Sequence, residues 1–200
     1  MSKKVFFSGD FHLNHPNIVG PKVSKWKGGY RDFDSLIEMN EEIIKTINKY
    51  VEWDDELQFL GDFCFGDRKL TRQWRDRINC QTIHLVLGNH ENVLYDGPEG
   101  YRYKDVFASV REGKMVNVDG HDFYAAHYKH AIWPDSHKGA IHVYAHSHAS
   151  AESWKIGKSM DVGIDNAKRL FGEYRPFESS EIVQIFKNTP IHEVDHHASK

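Results

Sequence analysis

The chain has 200 residues, 40% hydrophobic and 13% aromatic, which excludes a disordered or low-complexity protein. The 26 Lys and Arg residues against 29 Asp and Glu give a net charge of −3, so we expect no stable complex with duplex nucleic acid. The 14 histidines are many for a chain of this size, and histidine serves both as a metal ligand and as an acid–base catalyst.

The sequence also predicts a compartment and a domain count. No apolar run approaches the roughly 18–20 residues that cross a bilayer, and the segment MSKKVFFSGD is too short for the core of a signal peptide. Cys64 and Cys80 make no disulfide framework, which favours a reducing environment. We therefore expect a cytoplasmic protein with no membrane span. The chain shows no repeat and no linker, which predicts one domain over residues 1–200 with a polar tail at 190–200.

Five short apolar segments have the length and composition of buried strands. They begin at Lys4, Glu56, Ile83, His121 and Ile141, and each is followed by Asp, Asn or His. In open α/β sheets, ligands bind beyond the carboxyl ends of the strands, because loops converge there on a rigid support. The five segments therefore predict one shared site.

Two amphipathic patterns lie between the first three predicted strands. They predict helices over 34–51, with Asp34 as the candidate N-cap, and over 68–78. Asp119-Gly120 predicts a hairpin turn, and a late strand is expected over 181–186. Parallel β-α units followed by antiparallel strands indicate an α/β protein with α+β character, in which two packed mixed sheets are flanked by helices.

The side chains that follow the strands form a mixed set of oxygen and nitrogen donors. Such a set suits Mn²⁺, Fe, Zn²⁺ or Ni²⁺ rather than Ca²⁺. Two divalent ions and two carboxylates leave a net charge of +2, which is appropriate for a phosphate ester. In chain order the groups are Asp10-x-His12, Gly61-Asp62, Gly88-Asn89-His90-Glu91, His127 and His146-x-His148.

These five groups, in this order, resemble the calcineurin-like metallophosphoesterase family, whose pattern is D-x-H, G-D-x-x-D, G-N-H-[DE], H and G-H-x-H. The resemblance covers residues 5–165 and implies a four-layer sandwich that binds two divalent ions, with Mn²⁺ expected and Fe, Zn²⁺ or Ni²⁺ as alternatives. It assigns the first ion to Asp10, His12, Asp62 and His148. It assigns the second to Asp62, Asn89, His127 and His146, with Asp62 bridging. Residues 160–165 are expected to be scaffold.

The resemblance implies that a hydroxide bridging the two ions attacks a phosphate ester, while His90 protonates the leaving group as the general acid. Two positions depart from the family pattern. Phe65 stands where the second aspartate of G-D-x-x-D would orient the acid histidine, and Glu91 or Asp67 are candidates to replace that aspartate. Ala145 replaces the glycine of G-H-x-H, a small change that leaves the ligand assignment standing.

The residues after the first motif are candidates for contacts with the substrate. Asn14, His15 and Arg31 are the individual candidates, and the basic and aromatic residues of 22–31 suit a nucleotide phosphate and a stacked base. This favours a phosphodiesterase acting on a small nucleotide-like substrate, with a phosphomonoesterase as the alternative. A charged segment of this kind is also typical of a solvated surface. A non-catalytic, metal-binding scaffold of the same fold is a third hypothesis, and the oligomeric state stays open.

Overall fold

The computed structural model describes residues 3–24, 31–91 and 105–191, and these contain nine strands and four α-helices. The strands are β1 (Val5–Ser8), β2 (Glu56–Phe59), β3 (Thr82–Val86), β4 (Ser109–Arg111), β5 (Gly113–Val118), β6 (His121–Ala126), β7 (Ile141–Tyr144), β8 (Ser159–Asp161) and β9 (Phe177–Glu178). The helices are α1 (Leu36–Tyr50), α2 (Arg68–Arg75), α3 (Ile164–Phe171) and α4 (Ser179–Ile185).

The strands form two mixed sheets. The first has the order β4-β3-β2-β1-β9, in which β1 to β4 are parallel and β9 is antiparallel to β1. The second has the order β5-β6-β7-β8. Its β5–β6 pair is antiparallel and turns at Asp119-Gly120, so the predicted hairpin is confirmed. The expected antiparallel pairing beyond the hairpin is wrong, because long connections return the chain and β6, β7 and β8 pair in parallel.

The core lies on both faces of the first sheet, because successive side chains of a strand point to opposite faces. Phe6 belongs to an apolar cluster with Ile43 and Ile47 of α1. Its neighbour Phe7 packs on Phe123 of the second sheet, with ring centroids 4.8 Å apart. A strand that is buried on both faces has a continuous apolar sequence, which is why the segment of β1 was recognisable. The predicted α/β fold with two packed mixed sheets and flanking helices is confirmed.

Helix α1 begins two residues later than the predicted start. Ser35, not Asp34, is its N-cap, and the Ser35 Oγ accepts a hydrogen bond from the backbone N–H of Glu38 at 3.1 Å. The backbone N–H of Asp34 in turn donates to the Glu38 carboxylate at 2.9 Å. Helix α2 has Asp67 as its N-cap and ends at Arg75, three residues before the predicted end. A hydroxyl or carboxylate oxygen in this position satisfies an otherwise unpaired N–H of the first turn.

The predicted late strand over 181–186 is wrong, because most of this segment lies in helix α4. Glu178 and Glu181 form a capping box at the start of the helix. The side chain of each residue accepts a hydrogen bond from the backbone N–H of the other. Ile182 and Phe186 are four residues apart and both join the core cluster between the sheets. A short apolar run fits either period, and here the cap and the four-residue spacing decide for the helix.

Candidate metal centre

The predicted ligands lie in loops at the carboxyl ends of strands from both sheets. Asp10 and His12 follow β1, Asp62 follows β2, and Asn89 follows β3, and these three strands are parallel neighbours. His127 follows β6, and the 146–148 segment follows the adjacent parallel strand β7. Parallel neighbours end at the same edge of a sheet, so each sheet brings its polar loops to one edge.

His15 and His90 form one group of candidate ligand atoms with His12, and the predicted ligands by themselves form two further compact groups. Within each group the atoms lie within 4.8 Å of one another. Of the two further groups, one contains Asp10, His12 and His148, and the other contains Asp62, His127 and His146. The structure thus brings six of the seven predicted ligands into two sets of three.

Asp62 lies between the two groups. Its Oδ2 atom is 3.6 Å from the Nε2 atom of His12 and 3.6 Å from the Nε2 atom of His127. The Asp62 side chain is 2% exposed, so this carboxylate is enclosed by imidazole rings from both sides. Its position between the two sets is the one that a bridging ligand requires.

Asn89, the seventh predicted ligand, joins the second group. Its Oδ1 atom is 3.0 Å from the Nε2 atom of His127 and 2.9 Å from the Nδ1 atom of His146. The Nδ1 atom of His127 lies 2.6 Å from the carbonyl oxygen of Leu60. This contact makes Nδ1 the donor, and leaves Nε2 as the nitrogen that faces Asn89 and Asp62.

Buried polar atoms without partners show that the site fits a cation. Asp10 is fully buried, and neither of its carboxylate oxygens has a hydrogen-bond partner among the described residues; the same holds for the Nε2 atom of His12. Burial raises the pKa of Asp10 well above its usual range and lowers the pKa of His12. An unpaired buried carboxylate is unfavourable by several kcal/mol or more, and a divalent ion removes that penalty. Oxygen and imidazole donors without thiolate suit the ions expected from the sequence.

The backbone at most of the predicted ligands adopts the left-handed conformation, which is rare outside glycine and typical of functional sites. This conformation turns the chain sharply in the loops that follow the strands. The φ angles are 57° at Asp10, 49° at His12, 59° at Asp62, 65° at His146 and 45° at His148.

Glu91 supports the turn at Asp62 and the start of its own motif at Gly88. Its buried carboxylate accepts three backbone N–H groups, from Asp62 at 2.9 Å, Phe63 at 2.8 Å and Gly88 at 2.7 Å. Burial and the nearby Asp62 charge raise the pKa of Glu91. A Cβ atom at Gly88 would lie 2.3 Å from the Asp62 Oδ1 atom, so glycine is required there. The ends of the G-N-H-E motif therefore hold the ligand loops together.

Asp161 supports the loop that carries His146 and His148. Its Oδ2 atom accepts hydrogen bonds from the Ser147 hydroxyl at 2.6 Å and from the backbone N–H of Ala149 at 2.9 Å. Its Oδ1 atom accepts the N–H of Gly163 at 2.7 Å. Residues 160–165 were expected to be scaffold, and Asp161 has such a supporting role through its side chain.

Arg31, an expected substrate contact, lies away from the solvent. Its side chain is 0% exposed and forms an ion pair with Asp165, with Nε and Oδ1 3.0 Å apart. The expectation that Arg31 contacts the substrate is not supported by this placement, because no part of the guanidinium is accessible. Asp165 in turn accepts a hydrogen bond from the Nδ1 atom of His148 at 2.7 Å. Sequence reasoning missed this contact, since no motif links positions 31, 148 and 165.

The charges around His148 and Asp165 oppose the effect of burial. Burial alone lowers the pKa of His148, but the hydrogen bond to Asp165 and the charge of Asp10 outweigh it and raise the value to about 9. Burial likewise raises the pKa of Asp165, yet Arg31 and the hydrogen bond from His148 hold it at about 2. Asp165 is therefore an ionised hydrogen-bond acceptor at neutral pH.

His90, the expected general acid, lies at the rim of the site. Its side chain is 29% exposed, and its Nε2 atom is 4.0 Å from the Asp62 Oδ2 atom. Its backbone N–H donates to the Asp62 Oδ1 atom at 2.9 Å. Among the residues that the structure describes, Asp62 is the one carboxylate within 4.0 Å of the His90 ring nitrogens. Glu91 is engaged with backbone amides and Asp67 caps α2, so neither replaces the family's second aspartate.

Phe65, which occupies the position of that aspartate, contacts His90 through its ring. The two rings meet edge to face, with centroids 5.7 Å apart and planes at 70°. Phe65 also stacks on His15, with centroids 4.5 Å apart and planes at 14°. The Phe65 side chain is 46% exposed. An apolar ring therefore borders the acid histidine where the family pattern has a carboxylate.

The remaining substrate candidates lie next to this ring. Asn14 donates its Nδ2 N–H to the carbonyl oxygen of Phe65 at 3.1 Å, and its backbone N–H bonds to Asn40. The Nδ1 atom of His15 is 3.3 Å from the Nδ1 atom of His12. Most of the basic and aromatic segment, residues 25–30, lies outside the described residues, while Lys22 forms an exposed ion pair with Asp34 at 2.7 Å.

Two adjacent groups of oxygen and nitrogen ligands, joined by one carboxylate, fit the two-metal centres of hydrolases such as phosphatases, nucleases and aminopeptidases. The sequence profile of the calcineurin-like phosphoesterases matches residues 3–190. The chain belongs to this family, whose members are metal-dependent hydrolases of phosphoesters. The resemblance seen in the motifs is thus confirmed.

The solved structures found in the comparison have low sequence identity to this chain. A protein of unknown function from Aquifex aeolicus, AQ665, has 18% identity, with 92% of this chain and 100% of that chain covered at a TM-score of 0.64. An archaeal phosphodiesterase has 17% identity, covering 84% and 88% at a TM-score of 0.44. YfcE, a phosphoesterase from E. coli, has 16% identity, covering 80% and 78% at 0.39. The similarity to the Aquifex protein supports the fold.

A comparison with curated proteins found no match. None of the helices in the described ranges has the length and apolar content that a membrane span requires.

Proposed function

We propose that this chain is a dinuclear metal-dependent phosphodiesterase that acts on a nucleotide-like substrate. The observation that carries the proposal is the position of Asp62, 3.6 Å from a histidine of each ligand group, so that one carboxylate serves both. Two ions sharing a carboxylate stand close enough to act on one phosphoryl group.

Each of the two ligand groups is proposed to hold one ion. The first ion takes Asp10, His12, Asp62 and His148, and the second takes Asp62, Asn89, His127 and His146. When bound, the ions supply Lewis acidity that polarises the phosphoryl group and lowers the pKa of water. We propose Mn²⁺, with Fe, Zn²⁺ and Ni²⁺ as alternatives, because the donor set contains no thiolate.

His90 holds the proton that the leaving group needs. Its ring is partly exposed at the edge of the site. Its backbone N–H donates to the Asp62 carboxylate, which fixes the position of His90 relative to the metal ligands. Its ring borders Phe65 instead of a second carboxylate. A carboxylate partner stabilises the charged imidazole and orients it, and Phe65 provides neither effect. We therefore expect a preference for leaving groups that need little protonation.

Two exposed aromatic rings at the rim support a nucleotide-like substrate. Phe65 is 46% exposed beside His90, and Tyr128 is 47% exposed with its ring 4.6 Å from that of His146. Flat exposed rings stack on nucleobases, at about 1–3 kcal/mol per base. Phe65 borders the acid histidine His90, and Tyr128 borders the proposed ligand His146.

The burial of Arg31 favours a diester over a monoester. A phosphate monoester carries about two negative charges at neutral pH, and a diester carries one. Arg31, one of the four cations expected to bind phosphate, has no exposed side-chain surface and does not neutralise a second charge, while Lys25 and Lys27 lie outside the described residues. A phosphomonoesterase is therefore the second candidate, and a non-catalytic metal-binding scaffold is the third.

The test compares two esters on one metal-loaded protein. Metal-stripped chain is reloaded with Mn²⁺ and assayed on bis-p-nitrophenyl phosphate and on p-nitrophenyl phosphate, with Asp62→Ala and His90→Ala in parallel. Asp55→Asn, which alters a buried carboxylate that caps a turn far from the site, is the matched control. We expect diester hydrolysis that is lost in Asp62→Ala, reduced in His90→Ala and kept in Asp55→Asn.

Other results separate the alternatives. Faster hydrolysis of the monoester supports the phosphomonoesterase. Binding of two ions per chain without turnover of either ester, with Mn²⁺, Zn²⁺, Ni²⁺ or Fe²⁺, supports the scaffold.

A further inference from the structure

Arg31 connects two segments that are far apart in the sequence and close together in the metal centre. Its Nη1 atom donates to the carbonyl oxygen of Phe11 at 2.7 Å, and its Nη2 atom donates to the carbonyl oxygen of Asp10. Its Nε and Nη2 atoms donate to the two carboxylate oxygens of Asp165 at 3.0 and 3.1 Å. One guanidinium thus holds the backbone of the D-x-H loop and the start of α3.

Asp165 also contacts a proposed metal ligand, His148. Its Oδ2 atom accepts the hydrogen bond from the Nδ1 atom of His148 at 2.7 Å. A donor at Nδ1 leaves Nε2 of His148 as the nitrogen available to an ion, and a carboxylate partner raises the basicity of that nitrogen. Charge-assisted contacts of this length are among the stronger hydrogen bonds in proteins.

The start of α3 also packs directly against the first group of ligands. A Cβ atom at Gly163 would lie 2.7 Å from the Asp10 Oδ2 atom, and the backbone N–H of Ile164 donates to the carbonyl oxygen of Gly9 at 3.2 Å. Arg31 and Asp165 therefore sit in a rigid environment that fixes the separation of the 10–12 and 146–148 segments. A shift in either residue changes the spacing of Asp10, His12 and His148.

We propose that Arg31 and Asp165 are a pair of positioning residues that sets the affinity of the first ion, the one held by Asp10, His12, Asp62 and His148. The pair orients the His148 ring and fixes the D-x-H loop relative to it, while the second ion depends on neither contact. This inference rests on the metal centre of the proposed function. Loss of an outer contact to a ligating histidine typically weakens metal binding by about 10–100-fold, so that is the expected effect on one of the two sites.

A matched control exists elsewhere in the chain. Arg175 is also buried, forms two hydrogen bonds to the carboxylate of Glu181 at 2.9 and 2.8 Å, and donates to the carbonyl oxygen of Pro176 at 3.1 Å. None of these partners is a predicted ligand. Arg175→Lys therefore disturbs a buried arginine that pairs with a partly exposed carboxylate, without touching the metal centre.

The experiment measures Mn²⁺ binding by calorimetric titration of the metal-stripped full chain and of the variants Arg31→Lys, Asp165→Asn and Arg175→Lys. We expect two ions per wild-type chain, with about 10–100-fold weaker binding at one site in Arg31→Lys and Asp165→Asn. The second site keeps its affinity, and Arg175→Lys keeps both. The proposal is overturned if Arg31→Lys and Asp165→Asn bind both ions as Arg175→Lys does, or if the wild-type chain binds no ion.

A second measurement uses the wild-type protein, so it does not depend on whether the Arg31 and Asp165 variants fold. In the ¹⁵N spectrum of the Zn²⁺-loaded wild-type protein, we expect a slowly exchanging Nδ1–H proton on His148, assigned by its absence in His148→Gln. A Zn²⁺-loaded protein in which His148 carries no proton on Nδ1 overturns the proposal. Both measurements are independent of turnover, so a chain that binds two ions and hydrolyses neither ester refutes the proposed activity and leaves the positioning pair standing.

Discussion

Replacing Glu91 by Gln tests how the centre is held together. The Glu91 carboxylate accepts the N–H groups of Asp62 and Gly88 on Oε2, at 2.9 and 2.7 Å, and that of Phe63 on Oε1 at 2.8 Å. Gln has the same shape but a single acceptor oxygen. The orientation that keeps two of the three bonds points the amide NH₂ at the N–H of Phe63, so two donors face each other in a buried place.

The size of the effect follows from these contacts. One charge-assisted hydrogen bond is lost, at about 1.5–3 kcal/mol, and a buried N–H is left without a partner, at about 1–3 kcal/mol. The substitution also removes a charge that repels Asp62, and this repulsion, with burial, raises the pKa of Glu91. We expect the free energy of unfolding to fall by about 3 kcal/mol in net terms. The left-handed turn at Asp62 loses support, so Mn²⁺ affinity should fall as well.

The assay is urea denaturation of the metal-free chain at neutral pH, followed by Mn²⁺ titration of the folded variant. Asp55→Asn is the control, since Asp55 is buried and accepts the backbone N–H groups of Lys4 at 2.9 Å and Glu52 at 2.8 Å. Both variants should lose stability, and only Glu91→Gln should bind Mn²⁺ more weakly. A stability loss below about 1 kcal/mol together with unchanged Mn²⁺ affinity would refute the reasoning, because relief of the repulsion would then equal the lost contacts.

Three further predictions concern the acid, a buried histidine and the ions. Phe65→Asp places a carboxylate beside His90. General acids contribute roughly 10²–10⁴ in rate, so the hydrolysis rate of alkyl phosphodiesters should rise by about tenfold or more. The hydrolysis rate of p-nitrophenyl esters should change little, because their leaving group needs little protonation. Burial lowers the pKa of His142 to about 4, below the 6.5 of an unfolded chain. The stability that neutral His142 contributes is therefore present above pH 6.5, and about 3 kcal/mol of it is lost as the pH falls toward 4. This pH-dependent loss should be absent in His142→Gln. Removal of both ions with a chelator should lower the melting temperature by about 10–20 °C relative to protein at 100 times the Kd of Mn²⁺, since each ion contributes about 2.7 kcal/mol.

Each of these predictions has a contrary result. Equal gains on alkyl and p-nitrophenyl esters would mean that Phe65→Asp acts on binding and not on proton transfer. An identical pH profile of urea midpoints in wild type and His142→Gln would show that His142 does not titrate in this range. A melting temperature that is the same with chelator and with Mn²⁺ would mean that the folded chain binds no ion.

The sequence by itself determined the parts that depend on local pattern and on residue type. Apolar segments such as that of β1 were recognisable because both faces of the strand are buried. Asp119-Gly120 specified its hairpin, since that dipeptide favours the left-handed backbone of a tight turn. The candidate ligands were found because they directly follow strands, and parallel strands bring such positions to one edge.

Only the tertiary structure decided which residues support those ligands. Arg31 and Asp165 are 134 residues apart, and their side chains meet because α3 packs against the first loop of the centre. Position 31 suggested a surface cation, and folding buried it. The segment 181–186 fits a strand or a helix by its apolar pattern, and the capping box with Glu178 selects the helix. Contacts of this kind connect residues that no spacing relates, because they depend on how complete elements pack.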